Sequence, residues 1–318
     1  MTEEEKNLLS AMNINLVYLI STPDVTEILN KKGIDEVLTS VGQKPVLMLA
    51  AETSEEQVHQ IETILANPGL YSVVLTQPLG GETGALLYIK LADLGVPIVY
   101  LWAYTTGIVG HPKCLGLVLD DGYARGYGAA KMLAEALGGK GNIGMIYWAL
   151  EFYSTDQRVV GALDAFAEYP DIKIVDKRGF TDPREADDLA RAMFLAHPEI
   201  EGVWAVWMDP VAYAVSDVAK ELGIADRIVI VTTDLGGEAG ALRIADDSDP
   251  IIGTVDVSCA DMGRAAALLG LKYLAGVDIA NSFVVASTYP IAKANLEEGF
   301  LFSEERPLPD YIKAMLRK

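Results

Sequence analysis

Short apolar runs alternate with amphipathic stretches along almost the whole chain, and this alternation constrains the fold more than any other feature. The amphipathic stretches, such as EEQVHQIETILAN and EADDLARAMFLAHP, have the periodicity of helices. A strand–helix alternation is typical of βα units that build a parallel sheet. Since the strand candidates are apolar throughout rather than every second residue, helices are expected on both faces of each sheet.

The strand candidates form two sets, one in each part of the chain. The first set covers residues 16–21, 45–51, 71–77, 97–102 and 114–120. The second covers residues 142–148, 172–178, 202–207, 227–234 and 251–257. At 318 residues the chain is long for a single core. The fold class predicted is therefore α/β, with two doubly wound parallel-sheet domains.

Two kinds of internal similarity are present. The segment from SVVLTQP to PIVYLW matches the segment from GVWAVWMDP to RIVIVTTD, which indicates that the two parts share an architecture. The octets LGGETGAL (79–86) and LGGEAGAL (235–242) fall at non-equivalent points of these segments. They indicate a common strand-to-helix turn, with glutamate in the first helical turn. That glutamate argues against a phosphate-binding loop because it would repel an anion.

Aromatic and acidic residues collect where the predicted strands end. In doubly wound sheets, ligands bind beyond the carboxyl ends of the strands. Rings stack on the C–H faces of a sugar, while carboxylates and guanidinium groups hold its hydroxyls. The residues predicted to bind such a ligand are Asp24, Trp102, Tyr104, Trp148, Phe152, Tyr153, Arg158, Trp207, Asp209, Asp234 and Asp256.

Structural roles compete with ligand binding at several of these positions. A tryptophan at a strand end also serves core packing. In DPVAYAV, Asp209 fits a helix N-cap followed by proline. Asp234 and Asp256 fit turns or hinges equally well.

Charge and composition exclude several functions. The net charge of −20 disfavours nucleic acid and anionic lipid as partners. Two cysteines and three histidines provide no zinc spacing, and no histidine follows a strand as the base of a hydrolytic triad would. In GYARGYGAA the glycine spacing is not that of a dinucleotide-binding loop. A non-enzymatic protein without metal or cofactor is therefore expected.

Four segments carry a family resemblance that runs from about residue 14 to residue 290. They are GYARGYGAAKMLAEALGGKGNIGMI (122–146), QRVVGALDAFAEYPDIKIV (157–175), AHPEIEGVWAVWMDPVAYAVSDVAKELG (196–223) and IVTTDLGGEAGALRI (230–244). In their order and spacing, the chain resembles the type I periplasmic sugar-binding proteins of ABC transporters. These are related to ribose-binding protein and share the fold of the lac-repressor effector domain.

The resemblance implies two lobes that close on a monosaccharide-sized ligand in the cleft between them. It places Arg158 where the family has an arginine that grips ring hydroxyls, and Asp234 at the family's second-lobe aspartate. Other positions depart from the pentose-binding pattern: Trp102 stands where an aspartate is usual, and Asp256 or Val257 occupies the region where a glutamine is common. Ribose is therefore not predicted. The acidic candidates instead favour a neutral or amine-bearing ligand, such as a polyol, a deoxy sugar or an amino sugar.

The implied domain division has three crossovers. Residues 1–120 with 257–287 form the N-terminal lobe, and residues 121–256 with 288–318 form the C-terminal lobe. The hinges are expected near residues 120–122, 254–257 and 287–289, with the tail EEGFLFSEERPLPDYIKAML (297–316) packed on the second lobe.

The resemblance also implies a monomer that delivers a sugar or polyol to ABC permease subunits. Its location would be periplasmic, or extracellular and lipid-anchored, with the leader removed before MTEEEKNLL. One alternative is a receptor module that senses a sugar for a membrane kinase. The other is the effector domain of a lac-repressor-type regulator, which the short acidic segment before the first strand disfavours.

Overall fold

The computed structural model describes residues 1–79, 82–279 and 281–317. The chain divides into two compact units, Met1–Asp120 with Cys259–Ala286, and Asp121–Ser258 with Ser287–Lys318. The first crossing lies at the expected position after Asp120. The second follows Ser258 rather than residue 256, and the third follows Ala286 rather than residue 287.

Twelve helices and twelve strands are numbered here in chain order within the described residues. The elements of the first unit are α1 (Glu3–Ser10), β1 (Leu16–Ile20), α2 (Val25–Thr39), β2 (Leu47–Ala50), α3 (Ser54–Ala66), β3 (Val73–Thr76), α4 (Glu82–Asp93), β4 (Ile98–Leu101), β5 (Cys114–Asp120), and later α10 (Cys259–Leu274) and β11 (Ser282–Ala286).

The second unit follows the same pattern and adds a helical tail. Its elements are α5 (Gly122–Ala136), β6 (Lys140–Trp148), α6 (Tyr153–Ala167), β7 (Asp171–Phe180), α7 (Ala186–Ala196), β8 (Gly202–Ala205), α8 (Tyr213–Glu221), β9 (Val229–Thr233), α9 (Gly237–Ala245), β10 (Ile251–Val257), β12 (Thr288–Ala292), α11 (Leu296–Glu304) and α12 (Asp310–Leu316).

Each unit is built on one six-stranded sheet. The strand orders are β11-β5-β4-β3-β1-β2 and β12-β10-β9-β8-β6-β7. The two orders correspond strand for strand, so β3 and β4 are the counterparts of β8 and β9. The predicted fold class of two α/β lobes is confirmed, and the repeated segment is the same β–α–β unit in both. Within the described residues, no helix is both long and apolar enough to cross a bilayer.

Two edge strands escaped prediction from the sequence. The residues of β11 alternate between half-buried and exposed, and β12 is only partly buried, so neither has the continuous apolar run of a central strand. The pairing of β12 with β10 is antiparallel, whereas the other pairings are parallel among the strands described.

The helices α5 and α6 pack with their backbones in close contact. A Cβ atom on Gly126 would lie 1.8 Å from the carbonyl oxygen of Arg158, and one on Gly161 would lie 2.1 Å from that of Tyr123. Only glycine permits this approach, and it brings the side chains of Arg125 and Arg158 to neighbouring positions. The core beneath includes Trp204, which is completely buried.

The tail packs against α9 of the second unit. The carboxylate of Glu238 in the first turn of α9 accepts hydrogen bonds from Arg306, at 3.3 Å, and from the hydroxyl of Tyr311. These bonds, led by that of Tyr311, lower the pKa of Glu238. Within the second repeated octet, Gly236 begins the helix with a φ of 68°, as the predicted glycine turn requires. The first octet lies partly outside the described residues.

Candidate functional site

Three aromatic rings form a cluster at the carboxyl ends of neighbouring strands in the second unit. The ring centroids of Trp148, Trp207 and Phe180 are each 5.4 Å from the other two. Trp148 and Phe180 are the paired last residues of β6 and β7, while Trp207 follows the end of β8. Both tryptophans are half-buried, so part of each ring surface faces solvent. The cluster therefore offers aromatic surface beyond the ends of the strands.

The sequence predicted the two tryptophans but missed Phe180. The strand predicted over residues 172–178 ends two residues before Phe180. In the structure, β7 continues to Phe180, whose side chain is completely buried beneath the two indoles. Its role is to support the tryptophans from the core side.

A network of two arginines and two aspartates lies at the ends of β9 and β10 in the same unit. Arg158 donates from Nη1 to Asp234 Oδ2 at 3.0 Å, and Arg125 donates from Nη2 to Asp234 Oδ1. The same Nη2 of Arg125 lies 3.6 Å from Asp256 Oδ1. Both arginines are buried, whereas the side chain of Asp234 is 29% exposed. Asp234 is thus the member of the network that a ligand could reach.

Arg158 is also anchored by neutral oxygens. Its Nη1 donates to Thr233 Oγ1 at 2.8 Å, and its Nη2 donates to Ser154 Oγ at 3.1 Å. Its Nη1 also lies 3.5 Å from the carbonyl oxygen of Val206, the residue before Trp207. Arg158 therefore connects the charged network with the strand end that carries the aromatic cluster.

The two aspartates of the network differ in their electrostatics. Burial opposes ionisation of Asp234, but the guanidinium groups of Arg125 and Arg158 outweigh burial and hold its pKa below the ordinary value. Burial raises the pKa of Asp256, with the charge of Arg125 opposing that rise and the charge of Asp234 adding to it. Asp234 is therefore the ionised acceptor of the pair.

Sequence reasoning missed Arg125 in the segment GYARGYGAA. The sequence does hold one signal that Arg125 is buried: it lies on the same face of α5 as the small residues Gly122, Gly126 and Ala129. A charged residue on such a face has to meet an opposite charge, because burying an unpaired guanidinium is costly. The partners are carried by strands more than a hundred residues away, so the pairing is not visible in the sequence.

The remaining candidates of the second unit lie at the start of two helices. Phe152 is the N-cap residue of α6 and Tyr153 its first residue, and both are half-buried. Asp209 is exposed, with an extended backbone at φ −107° and ψ 126°. This extended residue lies directly before Pro210, inside a wide turn over Met208–Ala212 that precedes α8, so the capping role of Asp209 stays a prediction beside ligand binding.

In the first unit, the predicted residues occupy the ends of β1 and β4. Asp24 is exposed and caps α2, accepting a hydrogen bond from the backbone N–H of Glu27 at 3.0 Å. Tyr104 is 39% exposed, whereas Trp102 is only 4% exposed. The indole Nε1 of Trp102 is buried and has no hydrogen-bond partner among the described residues. Such a donor is costly to leave unsatisfied, which marks it as a candidate for a ligand contact.

Trp102 and Asp234 follow equivalent strands of the two sheets, and each has a left-handed backbone. Their φ angles are 65° and 75°. Each N–H donates to the neighbouring strand, Trp102 to Val118 at 3.0 Å and Asp234 to Val255 at 3.3 Å. A positive φ is unfavourable for a bulky residue such as tryptophan and is often found at functional sites. The strained backbone therefore marks Trp102 as a candidate functional residue.

Glu27, in the first turn of α2, lies in the interior of the first unit. It is 1% exposed, and its Oε2 accepts from the hydroxyl of Tyr18 and from Asn30 Nδ2, the latter at 3.3 Å. Burial raises its pKa to about 7. In the part of the chain that the structure describes, no group of three or more His, Cys, Asp or Glu side chains is arranged to hold a metal ion.

Comparison with known proteins identifies the family. Residues 25–278 match the family of periplasmic binding protein domains, which covers most of the chain. This protein belongs to that family. The resemblance predicted from the sequence is therefore confirmed, together with the two-lobed α/β fold that it implies.

Solved structures with the same fold are also similar over nearly the whole chain. An ABC transporter periplasmic solute-binding protein of Actinobacillus succinogenes, solved with bound D-allose, has a TM-score of 0.79 and 22% identity, covering 90% of this chain and 100% of that one. An ABC transporter solute-binding protein of Bacillus halodurans, with bound myo-inositol, has a TM-score of 0.78 and 17% identity, covering 91% and 97%.

A shorter match exists to a curated protein. A xylitol-binding protein of Mycolicibacterium smegmatis is 26% identical over 147 residues, which are 46% of this chain and 40% of that protein's length. The match thus spans less than half of the relative.

Proposed function

We propose that this protein is the solute-binding component of an ABC importer and that it binds a small polyhydroxylated molecule, a monosaccharide or a polyol. It performs no catalysis. The observation that carries this proposal is the aromatic cluster of Trp148, Trp207 and Phe180, placed beside a charged network at the carboxyl ends of β6 to β10.

The aromatic cluster supplies the apolar half of a carbohydrate site. The C–H groups of a sugar ring or polyol chain pack against indole faces, which also shield the neighbouring hydrogen bonds from water. Trp148 and Trp207 are half-buried and supported from below by Phe180, so their ring positions are fixed before a ligand arrives. Such preorganisation lowers the entropic cost of binding.

The polar half favours a neutral or amine-bearing ligand over an acid. Both Arg125 and Arg158 already face the carboxylate of Asp234, and Asp209, two residues after Trp207, adds an exposed carboxylate to the strand end that carries the aromatic cluster. A ligand carboxylate would meet repulsion here, whereas a hydroxyl or an ammonium group would donate to Asp234. In the first unit, the buried Nε1 of Trp102 is a donor for an acceptor oxygen of the same class of ligand.

Relatives support the same class of ligand. The similar structures hold D-allose and myo-inositol, and the curated relative is named for xylitol. All three molecules are uncharged and carry several hydroxyl groups. The closing of the lobes predicted from the sequence stays a prediction.

A thermal-shift panel tests the proposal directly. The panel contains pentitols including xylitol, hexitols, myo-inositol, D-allose and other hexoses, amino sugars and hexuronates, each followed by calorimetry when it raises the melting temperature. We expect neutral or amine-bearing members to stabilise the protein. Stabilisation by a hexuronate alone would reject the ligand class, and the absence of any stabiliser would reject a carbohydrate-binding function.

Delivery to a membrane partner needs a separate test. We expect the ligand-loaded protein to stimulate ATP hydrolysis by the importer's permease and ATPase subunits reconstituted in vesicles, and the ligand-free protein to stimulate it less. This role implies a location outside the cytoplasmic membrane, in the periplasm or anchored at the cell surface. Ligand binding without stimulation of any importer would instead favour a sensory receptor.

A further inference from the structure

The buried guanidinium of Arg125 connects two carboxylates that belong to different strand ends. Its Nη2 donates to Asp234 Oδ1 and lies 3.6 Å from Asp256 Oδ1, while its Nε lies 3.4 Å from the carbonyl oxygen of Val255. No part of the side chain is exposed. Arg125 therefore acts on a ligand only through the groups that it holds.

The carboxylate of Asp234 is bound by two buried arginines, Arg125 and Arg158. Its two carboxylate oxygens are held by different arginines, Oδ1 by Arg125 and Oδ2 by Arg158. The two guanidinium groups arrive from two helices, α5 and α6, so together they fix the plane of the carboxylate. Each oxygen retains a further lone pair, since a carboxylate offers about four acceptor positions.

We propose that Arg125 is a positioning residue of the ligand site, which fixes the Asp234 carboxylate so that its exposed edge accepts ligand hydroxyl groups as an ionised acceptor. This inference rests on the proposed function for its ligand, but the state of Asp234 that it describes exists without one. Arg158 alone would hold one oxygen and leave the carboxylate to rotate about its side-chain bonds.

Arg125 is one of the two cations that keep the carboxylate of Asp234 ionised. The charged groups that face it are Arg125 on α5 and Arg158 on α6, and Asp256 on β10 faces it across Arg125. If Arg125 is removed, one of the two cations disappears while burial continues to oppose ionisation. Asp234 would then take up a proton at higher pH, and a protonated carboxyl loses acceptor capacity for hydroxyl hydrogens.

The test combines two readouts on the substitutions Arg125→Met and Arg125→Lys. The first is the titration of Asp234 in the ligand-free protein, followed by NMR of 13C-labelled aspartate carboxyls and assigned with Asp234→Asn. The second is the affinity for the best ligand of the thermal-shift panel, measured by calorimetry at pH 5 and pH 8. Arg191→Met is the control, because Arg191 lies on the surface of the same unit and pairs with Glu221.

We expect Arg125→Met to raise the titration midpoint of Asp234 by about one pH unit or more, and to weaken binding about tenfold, with the larger loss at pH 5. Arg125→Lys should restore most of the midpoint but only part of the affinity, since an ammonium group lacks the planar fork. If Arg125→Met does not fold, the test rests on Arg125→Lys, which should bind the ligand more weakly than the Arg191→Met control does.

An unchanged Asp234 midpoint in a folded Arg125→Met protein would overturn the inference, as would wild-type affinity in Arg125→Lys when Arg125→Met does not fold. A purely structural role would lower stability without moving the midpoint. If no panel compound binds the wild-type protein, the proposed function fails while the NMR titration still decides the role of Arg125.

Discussion

Gly126 and Arg158 meet at the contact between α5 and α6, where a Cβ atom on the glycine would lie 1.8 Å from the arginine's carbonyl oxygen. This contact places Arg158 within reach of Asp234, and it places Arg125, the neighbour of Gly126, beside the same carboxylate. The geometry of the charged network therefore depends on a residue without a side chain.

Gly126→Ala should force the two helices apart. We expect a loss of about 3 kcal/mol in the free energy of unfolding, measured by urea denaturation, because the atom that must yield is backbone. Ligand affinity should fall as well, since Arg158 moves with α6. Gly84→Ala on α4, where a Cβ atom meets nothing within 4 Å, should leave stability unchanged or slightly higher. Equal stability of the two variants would contradict the packing described here.

Asp234→Asn should destabilise the protein because it removes the carboxylate that both buried arginines face. Removing one partner of a buried ion pair lowers the free energy of unfolding by about 3–5 kcal/mol, because the other charge stays buried without a counter-charge. Urea denaturation at pH 7 measures this loss. The matched control is Asp209→Asn, an exposed aspartate of the same unit, for which a change within about 0.5 kcal/mol is expected. Similar losses in both variants would show that the network contributes little.

Trp207→Ala should weaken ligand binding much more than it lowers the free energy of unfolding. The ring is only half-buried, and it lies beyond the end of β8, where the proposed ligand would contact it. We expect a loss of about 2 kcal/mol in binding free energy by calorimetry, the size typical of a central aromatic contact. Trp207→Phe should retain most of the affinity, and Leu195→Ala, at a 67% exposed position of the same unit, should retain all of it. Full affinity in Trp207→Ala would remove the aromatic cluster from the site.

Trp102→Phe separates a ligand contact from a packing role in the first unit. The substitution removes a buried N–H that has no partner among the described residues, so stability should stay within about 1 kcal/mol of wild type or rise. If Nε1 donates to the ligand, affinity should nevertheless fall about tenfold or more. Thermal denaturation and calorimetry measure the two effects, and unchanged affinity would assign Trp102 to packing alone.

Glu27→Gln should remove a pH dependence of stability. Burial raises the pKa of Glu27 from 4.5 to about 7, so the folded state binds the proton more tightly than the unfolded state. Stability contributed by this group is present below pH 4.5, declines as the pH rises from 4.5 to about 7, and is then constant. The total decline is about 3 kcal/mol.

Urea denaturation at pH 5 and pH 8 tests this expectation. The Glu27→Gln protein should gain stability relative to wild type at pH 8 and little at pH 5, since a glutamine amide keeps an acceptor for the hydroxyl of Tyr18. Glu135→Gln, at an exposed position on α5, should leave the difference between the two pH values as it is in wild type. A stability gain that is the same at both pH values would count against a buried carboxyl with a raised pKa.

The sequence by itself determined the architecture. Apolar runs at regular spacing predicted ten of the twelve strands described, the two α/β units and the strand ends at which Trp148, Trp207 and Asp234 lie, because strands buried on both sheet faces leave a continuous local signal. The edge strands β11 and β12 lacked this signal because only part of their surface is buried.

Tertiary structure alone decided which side chains meet. Arg125 and Asp234 are 109 residues apart in the chain, and nothing local to either indicates the other. Glu27 lies only three residues after Asp24, yet its side chain meets Tyr18 in the interior while Asp24 caps α2 at the surface. Local patterns report how much of an element is buried, whereas the partner of a buried charge depends on strands brought together from distant parts of the chain.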